Sequence, residues 1–362
     1  MTTGVRTSKH ARVFAALHKA IGSGRLKPGA RLPSEAELVR QYGVSRITAG
    51  RAVRDLQAAG LVERRVGSGT FVAEGRRAAG LSFGLLIPDL GDTEIFEPIC
   101  QGMMVSPLAR DHALVWGSAS SDSAPAEDRA WQLGRQFIDR RVDGVFFAPL
   151  EMTPASDDVN HRLARAFDEA GIPLVLLDRP ITRYPDPGHH DLVGIDNRHA
   201  GYVITHHLLS RGCQRIAFVG LPHAAFTVDA RESGYREALY AADAPFDRAW
   251  VQRLGLDITA SVRELIHTHR PDGIVCANDK TAGLVMKALQ RFGHRIPDEV
   301  RLVGIDDVEY ATLLPVPLTT LRQPTRQIGD VALMVMLERI ARRDLPPRET
   351  RLHGELIVRD SG

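Results

Sequence analysis

The chain has 362 residues, more than one typical core holds, and its 44% hydrophobic and 25% charged residues are ordinary for a globular protein. No stretch reaches the roughly 20 apolar residues of a membrane span, and no secretory signal opens the chain, so we expect a cytoplasmic protein without membrane contact. Residues 1–75 hold 13 Lys and Arg against 5 Asp and Glu, whereas the rest is mildly acidic, so the N-terminal part suits a polyanionic partner.

The basic N-terminal part begins with two predicted helices. Apolar residues four positions apart predict the first helix over residues 10–23. Ser34 opens the second helix as its cap, because Glu37 stands three residues later as the reciprocal partner of a capping box. Gly43 then ends this helix, since glycine readily adopts the left-handed conformation that follows a last turn.

A third helix and a hairpin follow. Ser45 is expected to cap the helix, which continues to Gly60. The apolar residues that suggest this helix are Ile47, Val53 and Leu56. Two short strands are expected at residues 61–65 and 70–72. Three helices and a hairpin, with a short turn between the second and third helices, predict a winged helix-turn-helix.

The third helix carries residue types that a DNA-reading helix needs at its N-terminal end. Such a helix presents its first residues to base edges in the major groove, where arginine binds guanine and serine or threonine bind bases or phosphates. The candidates are Ser45, Arg46, Thr48 and Arg51. At the hairpin, the candidates for contacts with the DNA backbone or minor groove are Arg64, Arg65 and Thr70. The alternative is an ordinary helical subdomain with solvated arginines.

The N-terminal stretch resembles the winged-helix domain of GntR-family transcription regulators over residues 10–73. The motifs that carry the resemblance are LPSE at the second helix, VSR at the third, LQAAGLV at its exit and GSGTFV at the wing. The resemblance implies double-stranded operator DNA as a partner. It adds DNA contacts at Ser34, Glu35, Gly67, Ser68 and Gly69. Many members have arginine where this chain has Ala36 and Gly50, so base reading is expected to rest on the polar residues of the third helix.

From Leu81 onward, continuous apolar strands alternate with helical stretches. The strands read SFGLLIPD, ALVWGSA, GVFFAPL, PLVLLDR, LVGID, RIAFVGL, GIVCAND and VRLVGID, a pattern typical of parallel strands buried on both faces. The pattern restarts after the loop at residues 183–191, so we expect two doubly wound α/β lobes with a cleft between them. The predicted domains are a DNA-binding domain at 1–74, a linker at 75–80 and a sensing and dimerisation domain at 81–362.

Polar residues follow several of these strands. In open α/β sheets the ligand lies at the carboxyl ends of the strands, and carboxylate, amide and guanidinium groups there suit the hydroxyls of a sugar. The strand-end candidates are Asp89, Asp178, Arg179, Asp196, Asn197, Asn278, Asp279, Asp306 and Asp307. Phe96 or Trp116 is the aromatic candidate for stacking on a sugar ring. The alternative for each Asp or Asn is a helix cap after a strand.

Residues 81–362 resemble the effector domain of LacI-family regulators, which is related to periplasmic sugar-binding proteins. The matching motifs are VLLDRP, GIDNRHAGY, RIAFVGLP, ARESGYREAL, GIVCANDKTA, RLVGIDD, PLTTLRQP and ELIVRDSG, in family order. The resemblance implies a periplasmic-binding-protein-like fold and a small, carbohydrate-like effector. It places the effector at Asp178, Arg231, Asn278 and Asp306, with Phe96 and Arg179 as further contacts. We expect a homodimer, because winged heads read two-fold symmetric operators in pairs. We therefore expect an effector-controlled, DNA-binding repressor.

Other functions have less support in the sequence. The histidine pairs lack a cysteine or carboxylate cluster at zinc spacing, so no metal or cofactor is expected. These pairs are His189–His190, His206–His207 and His267–His269. No nucleophile elbow, phosphate loop or dinucleotide motif is present, so we do not expect an enzyme. Two alternatives stay open: a regulator with a purine or amino-acid effector, and a solute-binding protein without a DNA role.

Overall fold

The structure is a computed structural model that describes residues 9–22, 25–27, 29–58, 61–65, 68–72, 80–87, 94–117, 124–255 and 257–362. The chain divides into two compact units, Met1–Gly80, which we call the head, and Leu81–Gly362, which we call the body. Within the described ranges, no helix combines the length and the apolar character that crossing a membrane requires.

In its described residues the head contains three helices and a hairpin. They are α1 (Lys9–Gly22), α2 (Glu35–Tyr42), α3 (Arg46–Ala58), β1 (Val62–Arg65) and β2 (Gly69–Val72). The strands are antiparallel, with Val62 opposite Val72. Arg31 pairs with Phe71 on the other edge of β2, so the stretch before α2 widens the wing. The predicted winged helix-turn-helix is confirmed, and the helix and strand ends that can be compared lie within one residue of the prediction.

A small apolar core joins the three helices of the head. Val13 and Leu17 come from α1, Leu38 from α2, and Ala52 and Leu56 from α3, and all five are nearly or fully buried. Burial of a large aliphatic side chain contributes about 1.5–3 kcal/mol. Packing of these few side chains therefore stabilises helices that are too short to form alone in water.

Both predicted helix caps are present. The Ser34 hydroxyl accepts the backbone N–H of Glu37 at 3.3 Å, and the Ser34 N–H donates to the Glu37 carboxylate at 2.7 Å, which completes the capping box. Gly43 ends α2 in the left-handed region, with a φ of 62°. Ser45 caps α3, because its hydroxyl accepts the N–H of Thr48 at 3.2 Å. The two serine caps satisfy backbone N–H groups that have no partner inside the helix.

The apolar residues that suggested α3 differ in burial. Leu56 is buried and Val53 half-buried, but Ile47 is 80% exposed. The inward side of the first turn is formed by Ala49 instead. Ile47 therefore lies outside the buried face, because one apolar residue in a first turn does not fix which face packs. The predicted helix end at Gly60 lies outside the described residues.

The elements of the body are, in chain order, β3 (Ser82–Leu86), α4 (Phe96–Val105), β4 (Ala113–Trp116), α5 (Ala126–Asp139), β5 (Gly144–Phe147), α6 (Ser156–Glu169), β6 (Leu174–Leu177), β7 (Asp191–Ile195), α7 (Asn197–Ser210), β8 (Ile216–Gly220), α8 (Phe226–Ala241), β9 (Val251–Arg253), α9 (Ile258–His269), β10 (Gly273–Cys276), α10 (Asp279–Arg291), β11 (Arg301–Asp306), β12 (Thr319–Arg322), α11 (Thr325–Ala341), β13 (Glu349–Leu352) and β14 (Glu355–Ile357). The described strands form two six-stranded sheets, ordered β13-β7-β6-β5-β3-β4 and β14-β12-β11-β10-β8-β9. Neighbouring strands are parallel except β12 and β14. The predicted pair of doubly wound α/β lobes is confirmed.

The passage of the chain from the first lobe to the second differs from the prediction. The sequence pattern restarts after residues 183–191, but the strand that follows, β7, still belongs to the first sheet. The chain crosses between β7 and α7, returns at residues 322–325, and crosses again between β13 and β14. Alternation of strands and helices does not record which sheet a strand joins, so the sequence could not show these three crossings.

Close packing of two helices positions a charged side chain in the body. A Cβ atom added at Gly201 on α7 or at Gly234 on α8 would collide with the backbone of the other helix. The two glycines therefore let the helices meet backbone to backbone. This approach brings Arg231 on α8 against Asn197 at the start of α7, where its Nε donates to the amide oxygen at 2.8 Å.

Candidate functional site

The N-terminal end of α3 holds the four side chains predicted to contact DNA. Arg46 and Arg51 are exposed, and the Arg46 side chain is 84% exposed. The hydroxyls of Ser45 and Thr48 lie 2.8 Å apart within the helix cap, so both also stabilise the start of α3. Free backbone N–H groups at a helix N-terminus favour a nearby phosphate. This end of the helix therefore combines a fixed cap with cationic side chains that reach into solvent.

Glu35, at the start of α2, lies against α3. Its carboxylate accepts a hydrogen bond from Nε of Arg46 at 3.3 Å, which orients that guanidinium. A Cβ atom at Gly50 would lie 3.3 Å from the same carboxylate, so the missing side chain leaves room for Glu35. This packing gives the glycine a role inside the head. The hydroxyl of Ser34, the other residue implied by the LPSE motif, is used in the capping box.

The wing contains a charged residue that the sequence analysis missed. Gly69 has a φ of 119°, and the guanidinium of Arg31 lies where a side chain at this glycine would stand. Arg31 comes well before the hairpin in the chain, so only its pairing with β2 places it on the wing. Ser68 is exposed and Thr70 half-buried. The predicted contacts at Gly67 and at the Arg65 side chain lie outside the described part of the structure.

Two neighbouring cavities lie between the lobes of the body. The Asp306 cavity has a volume of about 160 Å³, and its lining includes four of the six predicted effector residues. These four are Phe96, Arg179, Asn278 and Asp306. The Phe226 cavity has a volume of about 240 Å³, and Arg179 lines it too. The other two predicted residues, Asp178 and Arg231, lie behind the cavity walls and are each only 4% exposed.

Arg231 is held on three sides. Its Nε donates to Asn197, its Nη1 donates to the Ala277 carbonyl at 2.7 Å, and its Nη2 lies 3.7 Å from a carboxylate oxygen of Asp306. Gln323 donates to the same Asp306 oxygen at 2.8 Å. Because Gln323 lies in the crossing at residues 322–325, the Asp306 carboxylate is tied directly to a connection between the lobes.

Arg179 lies on the first lobe's side of the cleft and contacts three residues of that lobe. Its Nη1 lies 2.6 Å from a carboxylate oxygen of Glu151, and its guanidinium lies over the Phe96 ring at 5.0 Å from the ring centre. Its Nε lies 3.5 Å from Asp178, which itself has a left-handed φ of 66°. Strained backbone of this kind persists only where the surrounding structure holds it, and it is common at ligand clamps.

Burial governs the charge of the acidic residues in this cluster. Burial raises the pKa of Asp306, and the nearby carboxylates of Asp279 and Asp178 raise it further, while Arg231 lowers it. Burial also raises the pKa of Asp178, against the lowering effect of Arg179 and Arg231. The cluster therefore gathers acids that resist ionisation around two guanidinium groups, which suits a neutral ligand with many hydrogen-bonding groups.

Two strand-end candidates serve as helix caps, as the alternative interpretation expected. Asp196 accepts the N–H of His199 at 3.0 Å, and Asn278 accepts the N–H of Thr281 at 2.9 Å. Asn278 also lines the Asp306 cavity, and capping uses only its amide oxygen, so its NH₂ group is the part that can meet a ligand. Trp116 lines neither of the two cavities, and Asp89 lies outside the described residues.

Several cleft residues were missed by the sequence analysis. They are Glu94, Glu151, Lys280 and Tyr310 in the lining of the Asp306 cavity, and Gln323 beside it. Glu151 follows β5 closely, so the rule that ligands lie at strand ends could have found it. Gln323 follows β12, a strand that the sequence pattern did not reveal.

The histidine pairs have ordinary structural contacts. His206 stacks on Tyr202, and His190 lies 3.2 Å from the carboxylate of Asp168. Among the described residues, no group of three or more His, Cys, Asp and Glu side chains is arranged to hold a metal ion.

Comparison with known proteins assigns a family to each part of the chain. Residues 9–72 match the model of bacterial regulatory proteins of the gntR family, and residues 205–362 match the periplasmic binding protein-like domain. The arabinose metabolism transcriptional repressor of Geobacillus stearothermophilus is 25% identical over 353 residues, which cover 94% of this chain and 93% of that protein. This chain is a transcriptional repressor whose head matches the gntR family and whose body has a periplasmic-binding-protein-like fold. The repressor thus combines a DNA-binding head with a ligand-binding fold.

Further relatives of the repressor match between about two thirds and nine tenths of its length. The transcriptional repressor PurR of Vibrio vulnificus is 30% identical over 234 residues, which cover 63% of this chain and 66% of PurR. A solved complex of the transcriptional regulator CelR with cellobiose is 25% identical, with a TM-score of 0.66, and the match covers 91% of this chain and 100% of that one. The two curated relatives are transcriptional repressors, and CelR is a transcriptional regulator.

Proposed function

We propose that the repressor binds its operator as a homodimer through the head and releases it when a small carbohydrate binds between the lobes of the body. In this proposal residues 1–74 form the DNA-binding domain, 75–80 the linker and 81–362 the sensing domain, and the protein acts in the cytoplasm. The DNA contacts are those of the α3 N-terminus, of Ser34 and Glu35, and of the wing.

Buried polar atoms in the cleft carry the carbohydrate proposal. In the described part of the structure, Asp178 Oδ1, Arg179 Nε and Gln323 Oε1 have no hydrogen-bond partner. A buried polar group left unpaired costs about 1–3 kcal/mol, so such atoms call for a partner. Of these three residues only Arg179 lines the cavities. A sugar hydroxyl both donates and accepts, so one ring in the Asp306 cavity can serve the Arg179 guanidinium, the Asp306 carboxylate and the Asn278 amide together. The two lobes supply these groups from opposite sides.

Contacts between the lobes support control by closure. The backbone N–H of Met152 in the first lobe donates to the His223 carbonyl in the second at 2.6 Å, and the Ala225 N–H donates to the Glu151 carboxylate at 3.0 Å. A ligand that binds the closed arrangement better than an open one shifts the population toward closure. Control of DNA binding then follows if closed and open bodies present the two heads of a dimer differently.

Symmetry and exposed apolar side chains support the homodimer. Winged heads usually read two half-sites related by two-fold symmetry, so two copies are needed. Met104, Val105 and Leu108 form a run of exposed apolar residues at the end of α4, and Leu313 in the second lobe is 76% exposed. Analytical ultracentrifugation tests this point: a mass near twice that of the chain is expected, and a monomer at all concentrations would contradict it.

Calorimetric titration against a panel of pentoses, hexoses, disaccharides and purines tests the effector class. The proposal predicts that at least one sugar binds and that the same sugar weakens binding to DNA from upstream of the gene. A response to purines alone would favour the rival class of effector. Binding of a sugar without any salt-dependent binding to that DNA would favour a plain solute-binding protein.

A further inference from the structure

The cleft is divided into two cavities with a shared wall. Pro149, Leu150, Glu151 and Arg179 line both the Asp306 cavity and the Phe226 cavity. At about 160 Å³ and about 240 Å³, each is smaller than the roughly 300 Å³ at which ligand pockets usually begin. Together the two cavities fall within the usual range. We propose that the effector consists of two joined sugar units, one in each cavity; this inference rests on the carbohydrate proposal above.

The Phe226 cavity has the chemistry of a sugar subsite. Arg183 from the first lobe donates to Asp229 of α8 at 2.7 Å, and its guanidinium lies 5.2 Å from the centre of the Phe226 ring. An aromatic ring beside a carboxylate and a guanidinium can meet both the apolar face and the hydroxyls of a sugar. Arg183 and Asp229 are 67% and 42% exposed, so they can rearrange around an entering unit.

The wall between the cavities consists largely of an ion pair. One oxygen of Glu151 lies 2.6 Å from Arg179 Nη1, and the other accepts the N–H of Ala225. Because both side chains line both cavities, a two-unit ligand would place its linkage beside them. Hydroxyls on either side of that linkage can then form hydrogen bonds with the Glu151 carboxylate and the Arg179 guanidinium. A single sugar ring would leave one cavity and one side of the pair unused.

Titration with matched sugars tests this inference. The probes are glucose against maltose and cellobiose, galactose against lactose, xylose against xylobiose, and arabinose against arabinobiose. At least one disaccharide is expected to bind about tenfold or more tightly than its constituent monosaccharides, a factor that equals 1.4 kcal/mol. A monosaccharide that binds as tightly as every disaccharide would overturn this inference but leave the carbohydrate proposal intact. Failure of every sugar to bind would overturn the carbohydrate proposal as well.

Two substitutions in the Phe226 cavity locate the second unit. Phe226→Ala removes the aromatic face, and Ala224→Phe fills the cavity. Both are expected to bring the affinity for the disaccharide down to that of the monosaccharide, while monosaccharide affinity stays within about twofold of wild type. Phe96→Ala, in the other cavity, is the matched control and should weaken both ligands. Unchanged disaccharide affinity in both Phe226-cavity variants, with melting temperatures like wild type, would overturn the inference.

A second observation concerns the head and stands independently of the cleft. Ile47 is 80% exposed, although it lies in the first turn of α3 between exposed Arg46 and half-buried Thr48. Arg51 and Arg54 follow it at four and seven residues, so the three side chains share the outer face of the helix. This face thus has an aliphatic side chain at its N-terminal end and guanidinium groups in the later turns.

The position of Ile47 in the first turn of α3 indicates which group of the DNA it contacts. The first residues of a recognition helix enter the major groove, while its later turns pass the phosphates. The apolar group that base edges offer in this groove is the C5 methyl of thymine. We infer that Ile47 packs on a thymine methyl in each half-site, and that the operator therefore requires thymine at that position.

Replacement of thymine by uracil removes only this methyl group and tests the inference. The operator is first selected from random duplex DNA with the full-length protein, and each thymine is then replaced in turn. Wild type is expected to lose about fourfold in affinity per half-site at one thymine, which is the factor for burial of one methyl-sized group. Ile47→Ala should abolish this penalty. Arg54→Ala is the control and should weaken binding while keeping the penalty. No uracil-sensitive thymine, or one that stays sensitive in Ile47→Ala, would overturn the inference.

Discussion

The head and the body use the same kinds of polar side chain in opposite environments. In the head, Arg46 and Arg51 stand in solvent beside a capped helix end. In the body, Arg179 and Arg231 are almost fully buried and hold their partners through several hydrogen bonds. Exposed cations attract a polyanion through a field that salt screens, whereas buried groups act over short, unscreened distances. The difference teaches that one chain carries two recognition surfaces with different physical sensitivities.

Salt should separate the two surfaces most strongly. Displacement of counterions makes DNA affinity fall steeply with salt, by about a thousandfold between about 50 mM and about 200 mM for six or more phosphate contacts. Effector affinity should change by less than about twofold over the same range, because the cleft groups are buried. Fluorescence anisotropy and calorimetry at matched salt concentrations measure the two quantities. Equal salt dependence at both sites would remove the distinction.

Loss of Asp306 should abolish communication between the surfaces. Asp306→Ala removes a carboxylate that lines the cleft and contacts Gln323 in a crossing between the lobes. Allosteric coupling of this kind is typically five- to 150-fold, and we expect all of it to disappear while operator affinity without effector is retained. Anisotropy titrations with and without the effector measure this. A variant that still responds fully would mean that the effector lies elsewhere.

Loss of Arg46 should act on the other surface only. Arg46→Ala is expected to weaken specific operator binding by about 1–3 kcal/mol, which is roughly five- to 160-fold, because a base contact is lost. Calorimetry should find effector affinity unchanged. Arg110→Ala, which removes an exposed-surface cation of the body, is the matched control and should leave operator affinity near that of wild type. Similar losses in both variants would indicate that only overall charge matters.

The smallest predicted effect is a pH dependence confined to the body. Because the pKa of Asp306 is raised in the folded state, its carboxyl binds a proton more tightly there than in the unfolded chain, and its contribution to stability falls as pH rises above about 3.8. Asp306→Asn cannot ionise and escapes this loss. The melting temperature of the variant minus that of wild type should therefore increase between about pH 5 and about pH 8. A constant difference across this range would contradict the raised pKa.

The head and the body also differ in how far their sequences predicted them. In the head, each N-terminal helix cap is a contact between two residues that are three positions apart, as Ser34 and Glu37 are. The caps and the order of the helices could therefore be predicted from local sequence. Arg31 and Gln323 were missed because each gains its place through pairing with a distant segment. The strand-end rule found Asn278 and Asp306, but the positions of Asp178 and Arg231 behind the cavity walls depend on packing between elements far apart in the chain.

The exposure of individual side chains could likewise not be predicted from the sequence. Ile47 belongs to the apolar pattern of α3, yet only the packing of all three helices decides that Ala49 faces inward and Ile47 outward. The division of the cleft into two cavities depends on the Glu151–Arg179 ion pair, whose members come from the ends of two different strands. Such features arise from tertiary packing, which periodicity in one segment does not encode.

The most direct test of the proposal measures operator binding while the cleft is filled. Full-length protein, labelled operator duplex and a sugar already shown to bind by calorimetry are combined, and the dissociation constant for DNA is followed as the sugar is added. The proposal predicts that the constant rises by at least about fivefold and saturates at the sugar concentration that saturates the body. A saturated cleft with an unchanged dissociation constant for DNA would contradict the link between the two parts.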